Sequence, residues 1–162
     1  HAEVPWRCTD YAGLCGALGL LRSICPITCG CTDPRSGLLF SKPKRGCPSS
    51  CQARRAQALL NESCVDLNVS GSPAWTQYWE SYRMMMHLQL PQRASQYDRF
   101  IDRKIARGCR DTARDPVLGH DFCNENWALF QSVGIGGIRA FCPAQCCSGR
   151  NPSPQCPRAC LR

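Results

Sequence analysis

Fifteen cysteines in 162 residues limit what this chain can fold into, and their order limits it further. One set runs Cys8, Cys15, Cys25, Cys29, Cys31, Cys47 and Cys51; a second runs Cys109, Cys123, Cys142, Cys146, Cys147, Cys156 and Cys160. Each opens on Cys-X-Asp, as Cys8-Thr9-Asp10 and Cys109-Arg110-Asp111. A lone cysteine and an apolar run follow, then Cys-Pro-X-X-Cys with a third thiol beside it. Those clusters are Cys25-Pro26-Ile27-Thr28-Cys29-Gly30-Cys31 and Cys142-Pro143-Ala144-Gln145-Cys146-Cys147. Each set closes on another Cys-Pro-X-X-Cys, ending at Cys51 and at Cys160. The matched order reads as an internal duplication. Seven is an odd number, so neither set can close on itself. Cys64 lies outside both and can complete one of them. With fifteen thiols at least one is unpaired, capped or joined to another chain, and Cys64 is the leading candidate. Connectivity is not readable from order alone.

Cysteine at this density persists in an oxidising compartment, so a secreted, extracellular or cell-surface protein is expected. The first residue is His1 rather than Met, which fits a removed signal peptide or a fragment. Two sequons, Asn61-Glu62-Ser63 and Asn68-Val69-Ser70, mark Asn61 and Asn68 as N-glycosylation candidates; a third triplet is disqualified by its proline, Pro152. No apolar run reaches the ~20 residues that a membrane span needs. The net charge of +8 is spread over Lys42, Lys44 and Arg45, over Arg54 and Arg55, and over Arg99, Arg103, Lys104, Arg107, Arg110 and Arg114. A solvated face is the plain reading, an acidic polysaccharide partner is the alternative, and nucleic acid is not expected.

Between the sets the composition changes. Ser72 is placed to cap a helix that has Pro73 in its first turn. Trp75, Tyr78, Trp79, Tyr82, Met85 and Met86 recur at three- and four-residue steps, which is one helical face. After Leu90-Pro91, the run from Ser95 to Asp98 has the form of a capping box and leads a second face of Tyr97, Phe100, Ile101 and Ile105. The expectation is a helical hairpin. Shorter helices are expected near residues 12–24, 53–60 and 125–133. The fold class is therefore small, disulfide-rich and mainly α, with little or no sheet. Its units are a cysteine-rich unit at 1–64, a helical hairpin at 65–108 and a degenerate second cysteine-rich unit at 109–162.

Cys8-Thr9-Asp10, Cys15 and the cluster from Cys25 to Cys31 resemble the ShK-toxin-like (ShKT) domain, whose pattern includes C-x-D and CxxTCGxC. One family cysteine is absent, and the ending here is Cys-Gly-Cys. The second unit is further away, with Gln145 in place of the threonine. The resemblance implies short helical modules locked by bridges, found as channel-blocking toxins and as parts of secreted enzymes and matrix proteins. It also implies a structural role for Asp10 and Asp111. The toxins block channels with a Lys-Tyr pair before CxxTC. The matching stretches here carry only Arg22 and Arg139, which could mimic the cation without its aromatic partner.

Other chemistry is weaker. The cysteine spacing, in an oxidised setting, favours bridges over zinc, and the spacing of redox-active C-x-x-C is absent. His1 could chelate copper with His87 or His120, but nothing else suggests a β-sandwich oxygenase. There is no G-x-S-x-G elbow, and Gly134, Gly136 and Gly137 do not complete a dinucleotide loop. They suit close backbone packing instead. No cofactor and no enzymatic activity are expected. A bridge closing a ~15-residue loop contributes about 3 kcal/mol, so several bridges could hold the shape without a large apolar interior. The expected function is a structural or interaction protein that associates with itself or with other extracellular proteins, as a filament or matrix component. An alternative is a module for acidic glycans, with Trp75, Tyr78, Trp79 and Tyr82 as stacking platforms. A channel-blocking, toxin-like protein is a further alternative.

Overall fold

Helices and bridges divide the work of this fold unevenly. The computed structural model describes residues 4–149 and 153–161. Its helices are α1 (Gly19–Ile24), α2 (Ser49–Leu60), α3 (Pro73–Gln89), α4 (Ala94–Arg107), α5 (Ala128–Val133) and α6 (Pro143–Cys147). Short 3-10 turns, including Cys8–Leu14 and Pro91–Arg93, join them. The chain is mainly α, and the one extended pairing among the described residues is the isolated bridge Arg114–Asp121. The expected helix at 12–24 is split into a 3-10 turn and α1.

The hairpin forms for the reasons its sequence gives. Ser72 Oγ accepts from Trp75 N–H at 3.4 Å, satisfying one free donor of the first turn. Trp75, Tyr78, Trp79, Tyr82 and Met86 are all buried along α3. They meet Tyr97, Phe100 and Ile101 of α4. The capping box does not form: α4 starts at Ala94 without a side-chain cap, because the turn at Pro91–Arg93 runs straight into it. Asp98 instead accepts from Arg83 (2.9 Å) and pairs with His87 (2.8 Å) across the hairpin.

The interior is larger than the cysteine count suggests, which corrects the expectation that bridges rather than a core set the shape. Trp79 lies edge-on to Trp75, Tyr78, Tyr82, Phe100 and Phe122, with ring centroids 4.8–6.0 Å apart. Phe122, Phe130, Ile135, Ile138 and Phe141 of the second unit join this cluster. At its edge Asp115 accepts from Tyr97 Oη (3.0 Å), from Tyr82 Oη, and from the amides of Val117 (2.8 Å) and Leu118 (2.6 Å). His120 Nε2 lies 3.1 Å from Tyr82 Oη.

Seven disulfides join Cys8–Cys25, Cys15–Cys29, Cys31–Cys47, Cys109–Cys142, Cys123–Cys146, Cys147–Cys156 and Cys64–Cys160. Numbered within each set, the pairing is first to third, second to fourth and fifth to sixth in both halves. The duplication is thus written in the bridges as well as in the sequence. Two expectations are corrected. Cys64 is not spare: it completes the second set by pairing with Cys160. The free thiol is Cys51, buried against Cys31, Leu38 and Cys47, where it is closed to another chain.

Lys104 departs from the solvated basic face expected of it. It is fully buried. Its Nζ donates to the carbonyls of Thr112 (3.0 Å), Gly108 and Asp111 (both 3.4 Å), and lies over the rings of Trp75 and Trp79. Burial pulls its pKa down to about 8, against the upward pull of Asp111 and with a small downward push from Arg103. Burial also lowers His120, opposed by Asp115 and Asp121. In both cases the unfolded chain binds more protons, so stability rises with pH. The His120 contribution is lost as pH falls through the ordinary histidine range. The Lys104 contribution grows from about pH 8 to about pH 10, by roughly 2 kcal/mol. Above that, Tyr78, Tyr82 and Tyr97, all raised by burial, reverse the trend as the unfolded tyrosines ionise. Thermal scans in a Cys51→Ala background, which removes thiol exchange, should show this alkaline rise. A flat or falling profile between pH 8 and 10 would contradict the buried ammonium.

Candidate functional site

Duplication gives each half an internal control for the other. Arg22 and Arg139 both sit three residues before the third cysteine of their set, and both are buried. Arg22 donates to the carbonyl of Cys15 at 2.6 Å, and Arg139 donates to that of Cys123 at 2.6 Å. These carbonyls belong to equivalent cysteines. The amide of Cys25 bonds to Leu21 O (2.8 Å) as that of Cys142 bonds to Ile138 O (3.0 Å), and the closing Cys51 and Cys160 amides bond to Pro48 O and Pro157 O. The two arginines are therefore framework groups. They cannot present a charge outward as a channel-blocking cation would, which corrects that expectation.

The halves differ in what they do with one face. In the second unit Phe122, Ile135 and Phe141 are 0–3% exposed and rest on the hairpin, with Phe122 4.8 Å from Trp79 and Phe141 5.4 Å from Trp75. Counted from the matching cysteines, their counterparts in the first unit are Leu14, Leu18 and Ile24. These are 47%, 48% and 55% exposed. Leu20, at the place of Gly137, is 73% exposed, and Trp6, Tyr11 and Ile27 are also open to solvent. Trp6 and Tyr11 stack at 5.5 Å. The turn Pro43–Arg45 flanks α1, because Ser23 Oγ donates to Gly46 O (2.8 Å) and Arg22 Nε to Arg45 O (2.7 Å). Chain order puts the exposed Arg7 beside Trp6.

A second exposed stripe runs along α3. Glu80, Met84 and Leu88 fall at four-residue steps on one side of the helix, with Met84 68% and Leu88 79% exposed. Beside it Arg83 holds Glu80, Asp98 and Asp102 at 2.9, 2.9 and 2.6 Å. Three carboxylates around one arginine leave a locally acidic surface in a basic chain.

Elsewhere, a cleft of about 270 Å³ opens between α2 and the loop before α6. Lys42, Arg55, Glu125 and Arg139 bring charge to it, and Ala56, Leu59, Leu60 and Ala140 form apolar wall. Lys42 Nζ is 2.8 Å from Glu125 Oε2. Burial pushes the Glu125 carboxyl up, but Lys42, Arg55 and Arg139 outweigh it and hold it below the ordinary value. Burial lowers both guanidiniums. Gly137 is fixed here, since a Cβ would lie 2.4 Å from Phe122 O and 2.9 Å from Glu125 Cγ. Close packing, not a dinucleotide loop, accounts for it.

No protein-family model, curated protein or solved structure matches this chain.

The other expected residues fall as follows. Trp75, Tyr78, Trp79 and Tyr82 are 0–2% exposed and cannot offer a ring face to a sugar, so the stacking platform is withdrawn. Asn61, at the end of α2, and Asn68 are both exposed. Arg55 is half-buried and tied to its own unit, donating to the carbonyls of Asp33 (2.8 Å) and Gly30 (3.2 Å). Asp111 pairs with Arg103 at 2.8 Å. His1 lies outside the described residues; His87 is tied to Asp98, and His120 is buried. The abundant bridges are consistent with a secreted or extracellular protein, and among the described residues no helix is long and apolar enough to cross a membrane. The sequence missed the open face because its residues are ordinary leucines and isoleucines. Aligning the halves on their cysteines, then asking which apolar positions lack a hairpin, would have found it.

Proposed function

We propose that this chain is a secreted, disulfide-stabilised structural protein, a building block that self-associates head to tail in an extracellular or cell-surface assembly. One observation carries the reading: the face that the second unit uses to dock on the hairpin is left uncovered in the first. The occupant assigned to it is the outer side of α3 in a second copy. The second unit packs against this same hairpin from the inside, and the exposed Met84 and Leu88 supply an apolar counterpart. Its acidic border, Glu80, Asp98 and Asp102, complements Arg7 at the open face. The two patches are different surfaces, so the contact is heterologous and propagates unless it closes into a ring. Two ShKT-like units fit this use as rigid connectors, with no catalytic role assigned. Because Cys51 is buried, the contact is non-covalent.

Leu20→Asp and Met84→Glu test the reading, since both side chains are exposed and neither change disturbs the core. Sedimentation velocity should show oligomers for the parent chain and monomers for each variant. An equal mixture should stop at a heterodimer, because each variant keeps one good patch. A monomeric parent chain, or oligomers unchanged by both substitutions, would sink the proposal.

A further inference from the structure

The charged cleft has no part in that contact, and its chemistry is unfinished. Arg139 is 4% exposed and donates to Cys123 O and to Gln155 Oε1 (3.0 Å). Its Nε is buried and has no partner. The first unit shows what the same framework does otherwise, since the equivalent Arg22 Nε is satisfied by Arg45 O at 2.7 Å. An unmade hydrogen bond at a buried, charged donor is costly, and here it falls on the one arginine of the pair that lines a cavity. The lining also carries Lys42 and Arg55 against the single carboxylate of Glu125. Arg139 lines the same cavity, which is thus short of negative charge, while its wall includes Ala56, Leu59 and Leu60.

We propose that this cleft binds a small oxyanion, a carboxylate or a sulfo group carried on a compact apolar body. The anion accepts from the guanidinium groups of Arg139 and Arg55, whose charge the Lys42–Glu125 pair leaves unbalanced, and the body lies on the apolar wall. At about 270 Å³ the space sits just below the ~300–1,000 Å³ of drug-sized sites, which limits the ligand to roughly one ring or a short chain. A charge-assisted hydrogen bond to a buried guanidinium favours anion over neutral isostere.

The test titrates the intact, oxidised chain with benzoate, benzenesulfonate and the neutral benzamide, read by NMR shifts at residues 42, 55, 125 and 139. Saturable shifts with the anions and none with benzamide are expected, and the relative affinity of the two anions separates carboxylate from sulfo selectivity. Arg139→Gln should weaken anion binding by about tenfold or more. Should that variant fail to fold, Glu125→Gln decides: removing the competing carboxylate should tighten binding several-fold. No saturable shift with either anion, equal shifts with benzamide, or unchanged affinity in Glu125→Gln would overturn the proposal.

Discussion

Replacing Trp79 by alanine is expected to cost about 3–5 kcal/mol, measured by the denaturant midpoint with the bridges intact. The indole is fully buried and meets five aromatic rings, one of them Phe122 of the second unit. Its removal leaves a cavity where α3, α4 and the second unit meet, and the neighbouring rings cannot collapse into it without losing their edge-to-face geometry. Disulfides do not substitute for this, because they act mainly on the unfolded chain while the cavity penalises the folded one. The loss should exceed the ~3 kcal/mol expected for opening a bridge with a loop the size of Cys8–Cys25. A cost below about 1 kcal/mol would mean that the bridges alone set the shape.

The second large effect belongs to Cys64–Cys160. It links residues 96 apart, against 9 for Cys147–Cys156. In the chain-entropy model the long loop contributes about 4.7 kcal/mol and the short one about 2.5 kcal/mol. The double variant Cys64→Ala/Cys160→Ala should therefore be the least stable of the paired alanine replacements. A Cys147→Ala/Cys156→Ala chain that is equally or more destabilised would show that native-state packing around each bridge outweighs loop length.

The sequence carried the hairpin and the duplication for clear physical reasons. Trp75, Tyr78, Trp79 and Tyr82 repeat at helical steps, and Ser72 with Pro73 marks where the helix begins. Cysteine order survives divergence because each bridge needs both its ends. What the sequence withheld was three-dimensional. Phe122 and Phe141 lie in segments without periodicity, so nothing local said that they complete the aromatic core. Lys104 occupies a position that looks like a charged helix surface, yet the carbonyls of Gly108, Asp111 and Thr112 turn back over it and make burial tolerable. The choice between Cys51 and Cys64 as the spare thiol depended on which half could reach Cys64, and a fold decides that. Arg22 and Arg139 looked like outward cations because their carbonyl partners, on Cys15 and Cys123, are 7 and 16 residues away.

Peptide mapping of the unreduced protein, with free thiols alkylated before and after unfolding, bears most directly on the repeated framework. The same first-to-third, second-to-fourth and fifth-to-sixth bridges should appear in both halves, together with a peptide joining Cys64 to Cys160. Alkylation should reach Cys51 alone, and only once the chain is unfolded. Different linkages in the two halves, or label on Cys64 in the native protein, would contradict it.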